Sequence, residues 1–310
     1  MSALKIFSIM ITWVVLLHHD ASSITIATGS QEGTYYKIAQ DLKQLAEKEG
    51  IPIEIISTNG SFDNINLLGA GKVDLAILQL DVLKFVSEIM QKEANFDVFE
   101  QAKVVLNLYL EEIHIITRNE GLLSIYQLEG KKVAVGPQRS GSALSAEVLL
   151  AGYNLRVQAV FEGPNDALEK LKSGELDALI FVGGAPVPAF EKLDDSFHLV
   201  RVPANSTLEQ IYKKQKIERS VYPWAGDSET YAVPSVIMTR ARDDREYVTT
   251  LQKLLIAILL NKETLDSTGH PKWKSSFIRS IVGNAGYRPA VDVLQIFDVL
   301  DEGGYRIIKK

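Results

Sequence analysis

Short apolar runs alternate with segments of helical periodicity along most of the chain, and this alternation limits the possible fold more than any other feature. The apolar runs read as buried strands at Ile24–Ala27, Ile53–Ser57, Leu75–Leu80, Ile113–Thr117, Lys132–Val135, Gln158–Phe161, Ala178–Val182 and His198–Val202. Helical spacing of apolar residues occurs between them at Tyr35–Lys48, Phe62–Ala70, Ser142–Ala151 and Asn165–Lys172. Strand–helix alternation predicts an α/β fold with largely parallel sheets that are covered on both faces.

One helix–strand unit occurs twice. The residues Gly60, Asp63, Leu68, Gly71 and Asp74 recur 103 positions later as Gly163, Asp166, Leu171, Gly174 and Asp177. In each copy a polar turn opens a helix, a glycine ends it in the left-handed conformation, and an aspartate precedes a buried strand. Chance matching of a common unit would give the same pattern, so descent from a duplication stays open. The repeat favours two similar lobes, each with a sheet of its own.

The first residues have the pattern of a secretory signal peptide. Lys5 precedes the apolar run Ile6–Leu17, and the small residues Ala21–Ser23 follow it. The run is shorter than the roughly 20 residues that span a bilayer, although an uncleaved amphipathic anchor is an alternative. We therefore predict that residues 1–23 are removed on export and that the mature protein is soluble and periplasmic.

Composition and missing motifs exclude several classes of function. The chain has 310 residues, no cysteine and a formal net charge of -6. An acidic balance disfavours nucleic-acid binding, and the lack of cysteine excludes disulfides and thiolate catalysis. The sequence has no nucleophile elbow, zinc-protease helix, P-loop or dinucleotide fingerprint. We predict no catalytic residue, metal or cofactor, and we interpret the Lys213–Lys216 cluster as a solvated helix end.

Two glycine-containing loops occupy matching positions in the two halves. Gly29–Thr34 follows the first strand and opens a helix, and Gly136–Ser142 does the same after Lys132–Val135. Glycine lets the backbone approach a ligand closely, and a helix start attracts anions. Directed hydrogen bonds could come from the hydroxyls of Ser30, Thr34, Ser140 and Ser142. Either loop alone is explained by a capped helix start, but the matched pair favours a carboxylate held between two lobes.

Several motifs in a fixed order identify a family. The segments TIATGSQEGTYYKIAQDL, STNGSFDNINLLGAGKVDLAILQLDV, KKVAVGPQRSGSA and LDALIFVGGAP follow one another between about Ile24 and Arg240. They resemble the TAXI family of extracytoplasmic solute receptors, which serve TRAP-type transporters. The resemblance implies a type II periplasmic-binding-protein fold with two lobes, a ligand cleft and a hinge. The first lobe would comprise residues 24–116 and 230–310, and the second lobe residues 117–229.

The same resemblance implies a ligand, a partner and a site. Ligands of the family are chiefly glutamate-like or 2-oxoglutarate-like acids, which the receptor passes to ion-coupled membrane permease subunits. Site residues of the first lobe would be Ser30, Gly33, Thr34, Tyr35, Ser61, Asn64, Gln79 and Asp81. Those of the second lobe would be Pro137, Ser140, Ser142, Gly183 and Gly184.

Two charged loop residues depart from the family pattern. Glu32 would repel a carboxylate if it pointed inward, whereas Arg139 could contact the ligand, offset that charge or pair with Glu32 across the closed cleft.

Other functions stay open beside the transport receptor. A stand-alone surface or sensor protein could keep the same fold, and a two-lobed transferase is disfavoured because no base–nucleophile pair is evident.

Overall fold

The computed structural model describes residues 23–94 and 102–276, so nearly all of the predicted signal peptide lies outside the described residues. Its strands are β1 Ile24–Ala27, β2 Ile53–Ile56, β3 Leu75–Gln79, β4 Ala102–Thr117, β5 Lys132–Ala134, β6 Gln158–Val160, β7 Ala178–Gly183, β8 His198–Leu199, β9 Lys213–Ile217 and β10 Ser228–Arg240. Its helices are α1 Thr34–Lys48, α2 Ser61–Gly69, α3 Leu80–Ala94, α4 Gly141–Gly152, α5 Pro164–Ser173, α6 Arg245–Leu260 and α7 Lys262–Thr268. Each predicted strand and helix is confirmed, although β8 is shorter and β4 much longer than expected.

The strand pairing is parallel only within two sets of three strands. The order across the sheet is β2-β1-β3-β10-β4-β7-β5-β6, with β8 beside β4 and β9 beside β10. β1 pairs in parallel with β2 and β3, and β5 does so with β6 and β7. β10 and β4 run antiparallel to their neighbours. The expectation of largely parallel sheets is therefore wrong for the centre of the molecule, where these two long strands lie.

One hydrogen-bonded network contains all of the described strands, where the sequence predicted separate sheets. The reason is the length of β4, with 16 residues, and of β10, with 13 residues. β10 pairs with β3 through Ser235–Thr239 and with β9 through Ser228–Ala232. β4 pairs with β7 through Glu112–Ile116. Each long strand thus serves both halves and carries the chain between them.

Buried apolar side chains form separate cores in the two halves. We define the first lobe as β1–β3, α1–α3, α6 and α7, and the second lobe as β5–β9, α4 and α5. In the first lobe, Ile26, Leu42 and Leu254 join the sheet to α1 and α6. In the second, Val133 and Leu149 belong to a different cluster. The described helices after β10 therefore return to the first lobe, and none of them has the length and apolar character to cross a bilayer.

The repeated unit has the same hydrogen bonds in both lobes. Asp74 Oδ2 accepts from the backbone N–H of Thr25 at 2.8 Å, at the start of β1. Asp177 Oδ2 accepts from the backbone N–H of Lys132 at 2.9 Å, at the start of β5. Gly174 ends α5 in the left-handed conformation, with φ of 79°, as predicted. Each aspartate thus anchors the central strand of a parallel set.

The lysine-rich segment corrects one sequence interpretation. Lys213–Ile217 is the strand β9, which pairs with β10, and not the end of a helix. Lysine is common on edge strands because its charge discourages pairing with further strands. The charge pattern was therefore a sign of a sheet edge.

Candidate functional site

A cleft of about 550 Å³, part of it open to solvent, lies where the two lobes face each other. The starts of α1, α2 and α4 and the ends of β3 and β7 meet there. The structure brings ten predicted site residues together in its walls: Ser30, Gly33, Thr34, Tyr35, Ser61, Gln79, Pro137, Ser140, Ser142 and Gly183. Further lining residues include Thr58, Asn59, Gly60, Glu111, Gly141 and Phe181. The predicted glycine loops therefore face one cavity from opposite sides.

The helix starts differ in how they are capped. Gly33 precedes α1 and Gly60 precedes α2, and glycine has no side chain with which to cap a helix. A start of this kind leaves its first N–H groups to other acceptors and favours an anion. At α4, by contrast, Ser140 Oγ accepts from the backbone N–H of Ala143 at 3.1 Å. The first lobe thus offers the more open anion-binding positions.

Several predicted ligand hydroxyls already have protein partners. Thr34 Oγ1 donates to the carbonyl oxygen of Gly184 across the cleft at 2.7 Å. Ser142 Oγ accepts from the backbone N–H of Val182 at 3.0 Å and so joins α4 to β7. Ser61 Oγ accepts from the last N–H of β3 at 3.0 Å, which leaves its own O–H for another acceptor. These hydroxyls stabilise the walls of the cleft through hydrogen bonds within the protein.

Four predicted site residues lie outside the cleft lining, and two of them, Asn64 and Gly184, have structural positions. Asn64 is fully buried, and its amide nitrogen donates to the carbonyl oxygens of Thr28 and Ile77 at 2.6 Å and 2.7 Å. Asn64 therefore braces β1 against β3. At Gly184, an added Cβ would lie 2.6 Å from a ring carbon of Tyr109, so glycine there permits close packing.

Asp81 joins the lobes instead of lining the cleft. Its Oδ2 accepts from Ser145 Oγ at 2.6 Å and from the Tyr212 hydroxyl at 2.9 Å. Its Oδ1 accepts from the backbone N–H of Val82 at 2.8 Å. Burial raises the pKa of the Asp81 carboxyl, and these hydrogen bonds oppose the rise. The first turn of α3 is thus tied to α4 and to the residue before β9.

Arg139 lies at the rim of the cleft, and its partner is Asp63. Its Nε is 3.2 Å from Asp63 Oδ1 in α2, whereas a pair with Glu32 was one of the alternatives that the sequence left open. The Arg139 side chain is 65% exposed, and its backbone has a φ of 62°. All three residues line a wider outer groove. Arg139 therefore bridges the lobes at the surface and does not line the cleft.

Two adjacent glutamates in β4 were missed by the sequence interpretation. Consecutive strand residues point to opposite faces, and Glu111 and Glu112 do so here. Glu112 Oε1 lies 2.5 Å from Lys272 Nζ, and its Oε2 accepts from the backbone N–H of Ala185 at 2.8 Å. Glu111 lines the cleft. The sequence signal for them was a pair of acidic residues within an otherwise apolar strand, because buried carboxylates need partners or a function.

The environment of Glu111 favours its neutral form. Its Oε2 accepts a hydrogen bond from the Tyr35 hydroxyl at 2.8 Å. Burial raises the pKa of the Glu111 carboxyl well above its usual range, and the charges of Asp81 and Glu112 add to the rise. The Tyr35 hydrogen bond and Lys272 oppose it. A buried acid with a displaced pKa in a cleft is a candidate functional group.

Comparisons with known proteins agree on the fold. The model of a family described as NMT1-like matches residues 26–281. A substrate-binding protein of an amino acid ABC transporter from Streptococcus pneumoniae, bound to L-arginine, is 19% identical, with a TM-score of 0.50 over 82% of this chain and 95% of that one.

Two further solved structures are similar. An ancestral arginine-binding protein bound to arginine is 18% identical, with a TM-score of 0.50 over 84% of this chain and 100% of that one. A structure described as a periplasmic transporter is 13% identical, with a TM-score of 0.54 over 90% of this chain and 94% of that one. These likenesses establish the predicted type II periplasmic-binding-protein fold with its two lobes.

Proposed function

The chain belongs to the NMT1-like family, and from this premise we propose that it is an exported solute-binding receptor of the periplasm. In this proposal the cleft captures a small carboxylate, glutamate-like or 2-oxoglutarate-like, and the lobes close over it. The observation that carries the proposal is the convergence of helix starts from both lobes on one cleft. Helix starts stabilise a carboxylate by their dipoles and unpaired N–H groups.

The lobes would move about β4 and β10. These strands join the two cores, and type II receptors close by hinge motion at such crossovers. The proposed first lobe contains residues 24–116 and 230–310, and the proposed second lobe contains residues 117–229. Contacts such as Thr34 with Gly184 and Asp81 with Ser145 would form on closure.

A ligand screen tests the binding function directly. Thermal shifts of the mature protein would be measured with dicarboxylates, amino acids and 2-oxo acids, and hits would be confirmed by calorimetry. A ligand at 100 times its dissociation constant should stabilise the protein by about 2.7 kcal/mol. If no small carboxylate shifts the unfolding temperature, the proposed ligand class is wrong.

The proposed partner is a TRAP-type permease, because the ordered motifs resemble TAXI receptors. One structural neighbour serves an ABC transporter, so the energy source is the discriminating property. Uptake of the identified ligand would be measured in cells that express the receptor with its permease. A TRAP system should lose uptake when an ionophore collapses the ion gradient, whereas an ABC system should lose it when ATP is depleted.

The alternative function is a stand-alone sensor of the same fold. In that case deletion of the gene would leave ligand uptake unchanged but abolish a response to the ligand. A transferase is less well supported, because the sequence has no nucleophile elbow and no cysteine. Turnover of a bound ligand by the purified protein would show that it is a transferase instead.

A further inference from the structure

One carboxyl group, that of Glu111, lies in the wall of the cleft. Among the described residues that line it, Glu111 alone carries a formal charge when ionised at neutral pH. Its residue surface is 2% exposed, so water neutralises little of that charge. Lys272 cannot neutralise it by direct pairing, because its ammonium already contacts Glu112 at 2.5 Å. The cleft therefore combines uncapped helix starts, which favour an anion, with one carboxylate, which favours a cation.

The two kinds of group lie close together. The Tyr35 hydroxyl donates to Glu111 Oε2 at 2.8 Å, which leaves Oε1 to a donor from the cleft. Ser61, the first residue of α2, lies beside the same phenol and interacts with it. One phenol oxygen thus connects the carboxylate with the start of α2. A small molecule that carries a carboxylate and an ammonium group on neighbouring atoms would bind both the start of α2 and Glu111.

We propose that Glu111 binds an ammonium group, and that the cleft prefers a zwitterionic α-amino acid to the corresponding 2-oxo acid. The inference rests on the proposed receptor function and narrows its ligand class. The carboxylate of the amino acid would face the starts of α1 and α2, and its ammonium would donate to Glu111. A 2-oxo acid presents a carbonyl oxygen at that position, which accepts one hydrogen bond from neutral Glu111 but forms no ion pair with it.

Binding of an ammonium would also displace a proton from Glu111. In the empty cleft, burial and the charges of Asp81 and Glu112 favour the neutral acid, while Tyr35 and Lys272 favour the ionised one. A bound ammonium favours ionised Glu111, so the pKa falls on binding. The affinity for an amino acid should therefore rise with pH until the pH exceeds the pKa that Glu111 has in the empty cleft.

Matched ligand pairs test the inference. Calorimetry would compare L-glutamate with 2-oxoglutarate and L-leucine with 4-methyl-2-oxopentanoate, using the wild type, Glu111→Gln and the control Glu54→Gln, whose residue is exposed on β2. In the wild type and the control, at least one amino acid should bind about tenfold to a hundredfold more tightly than its 2-oxo acid. In Glu111→Gln the preference should fall to about threefold or less, and the rise of affinity with pH should flatten.

The outcomes separate this inference from the proposed function. Equal or tighter binding of the 2-oxo acids by the wild type would overturn the role of Glu111 but keep the carboxylate receptor. A Glu111→Gln variant that folds and keeps the preference would do the same. Failure of both ligand types would overturn the proposed ligand class and the inference with it. If Glu111→Gln does not fold, the ligand preference and pH profile of the wild type still decide the matter.

Discussion

Replacement of Asp81 by alanine removes the acceptor through which two side chains of the second lobe bind the first. Ser145 Oγ and the Tyr212 hydroxyl donate to Asp81 Oδ2 at 2.6 Å and 2.9 Å. Both bonds are buried and join elements of different lobes. In the proposed hinge motion they would form on closure and separate when the lobes open about β4 and β10.

The expected effect follows from these contacts. A hydrogen bond to a charged group contributes about 1.5–3 kcal/mol. The two bonds do not add fully, because burial raises the pKa of Asp81 and because the open form returns these groups to water. We therefore expect the substitution to destabilise the closed form relative to the open form by about 1.4–2.8 kcal/mol, which weakens ligand binding about tenfold to a hundredfold. The direct contacts of the ligand would be unchanged, so the whole loss lies in closure.

Calorimetry and small-angle scattering measure the two parts of this prediction. Calorimetry with the ligand found by thermal shift gives the affinity of Asp81→Ala, and scattering gives the ligand concentration at which the protein compacts. Tyr212→Phe and Ser145→Ala each remove one donor and should show smaller losses. Wild-type affinity and compaction in a folded Asp81→Ala variant would refute the idea that this cluster stabilises the closed form.

Five further substitutions test individual interpretations. Ser140→Ala should lower the free energy of unfolding in urea by about 1 kcal/mol, because the hydroxyl caps α4; a loss of affinity at unchanged stability would assign it to the ligand instead. Arg139→Ala should change ligand affinity by less than about fivefold in calorimetry, since its ion pair is exposed. Asp74→Ala and Asp177→Ala should each destabilise the protein by about 1–3 kcal/mol, and a neutral result at either would show that the repeated positions are not equivalent. Glu111→Gln should raise the unfolding free energy without ligand at about pH 8 but not near pH 4, because burial raises the pKa of Glu111 and only its ionised form is penalised; an equal gain at both values would exclude this cause.

The course of the main chain was largely predictable from the sequence. The apolar runs of β1, β3 and β7 and the helical spacing of α1 and α5 are local patterns, and periodicity of burial fixes such elements. α3 was missed because it follows β3 without a polar break, so the two apolar patterns merge. β9 was missed because an edge strand rich in lysine has little apolar signal.

The site was predictable only in part, for a physical reason. Glycines before α1 and α2 indicate where the backbone can approach a ligand, and the structure places both beside the cleft. Sequence spacing does not say which hydroxyls are already bonded, since Thr34 and Ser142 find their partners on distant elements. The same holds for Asp81, which the sequence predicted to be a ligand residue and which instead bonds across the lobes.

The sequence by itself determined the α/β order, the repeated unit and the glycine-rich helix starts, because each depends on residues close along the chain. The tertiary structure alone decided which carboxylate faces the cleft. Glu111 and Glu112 are adjacent in sequence, yet Lys272 pairs with only one of them. Strand alternation turned the other into the cleft, where burial and neighbouring charges set its pKa.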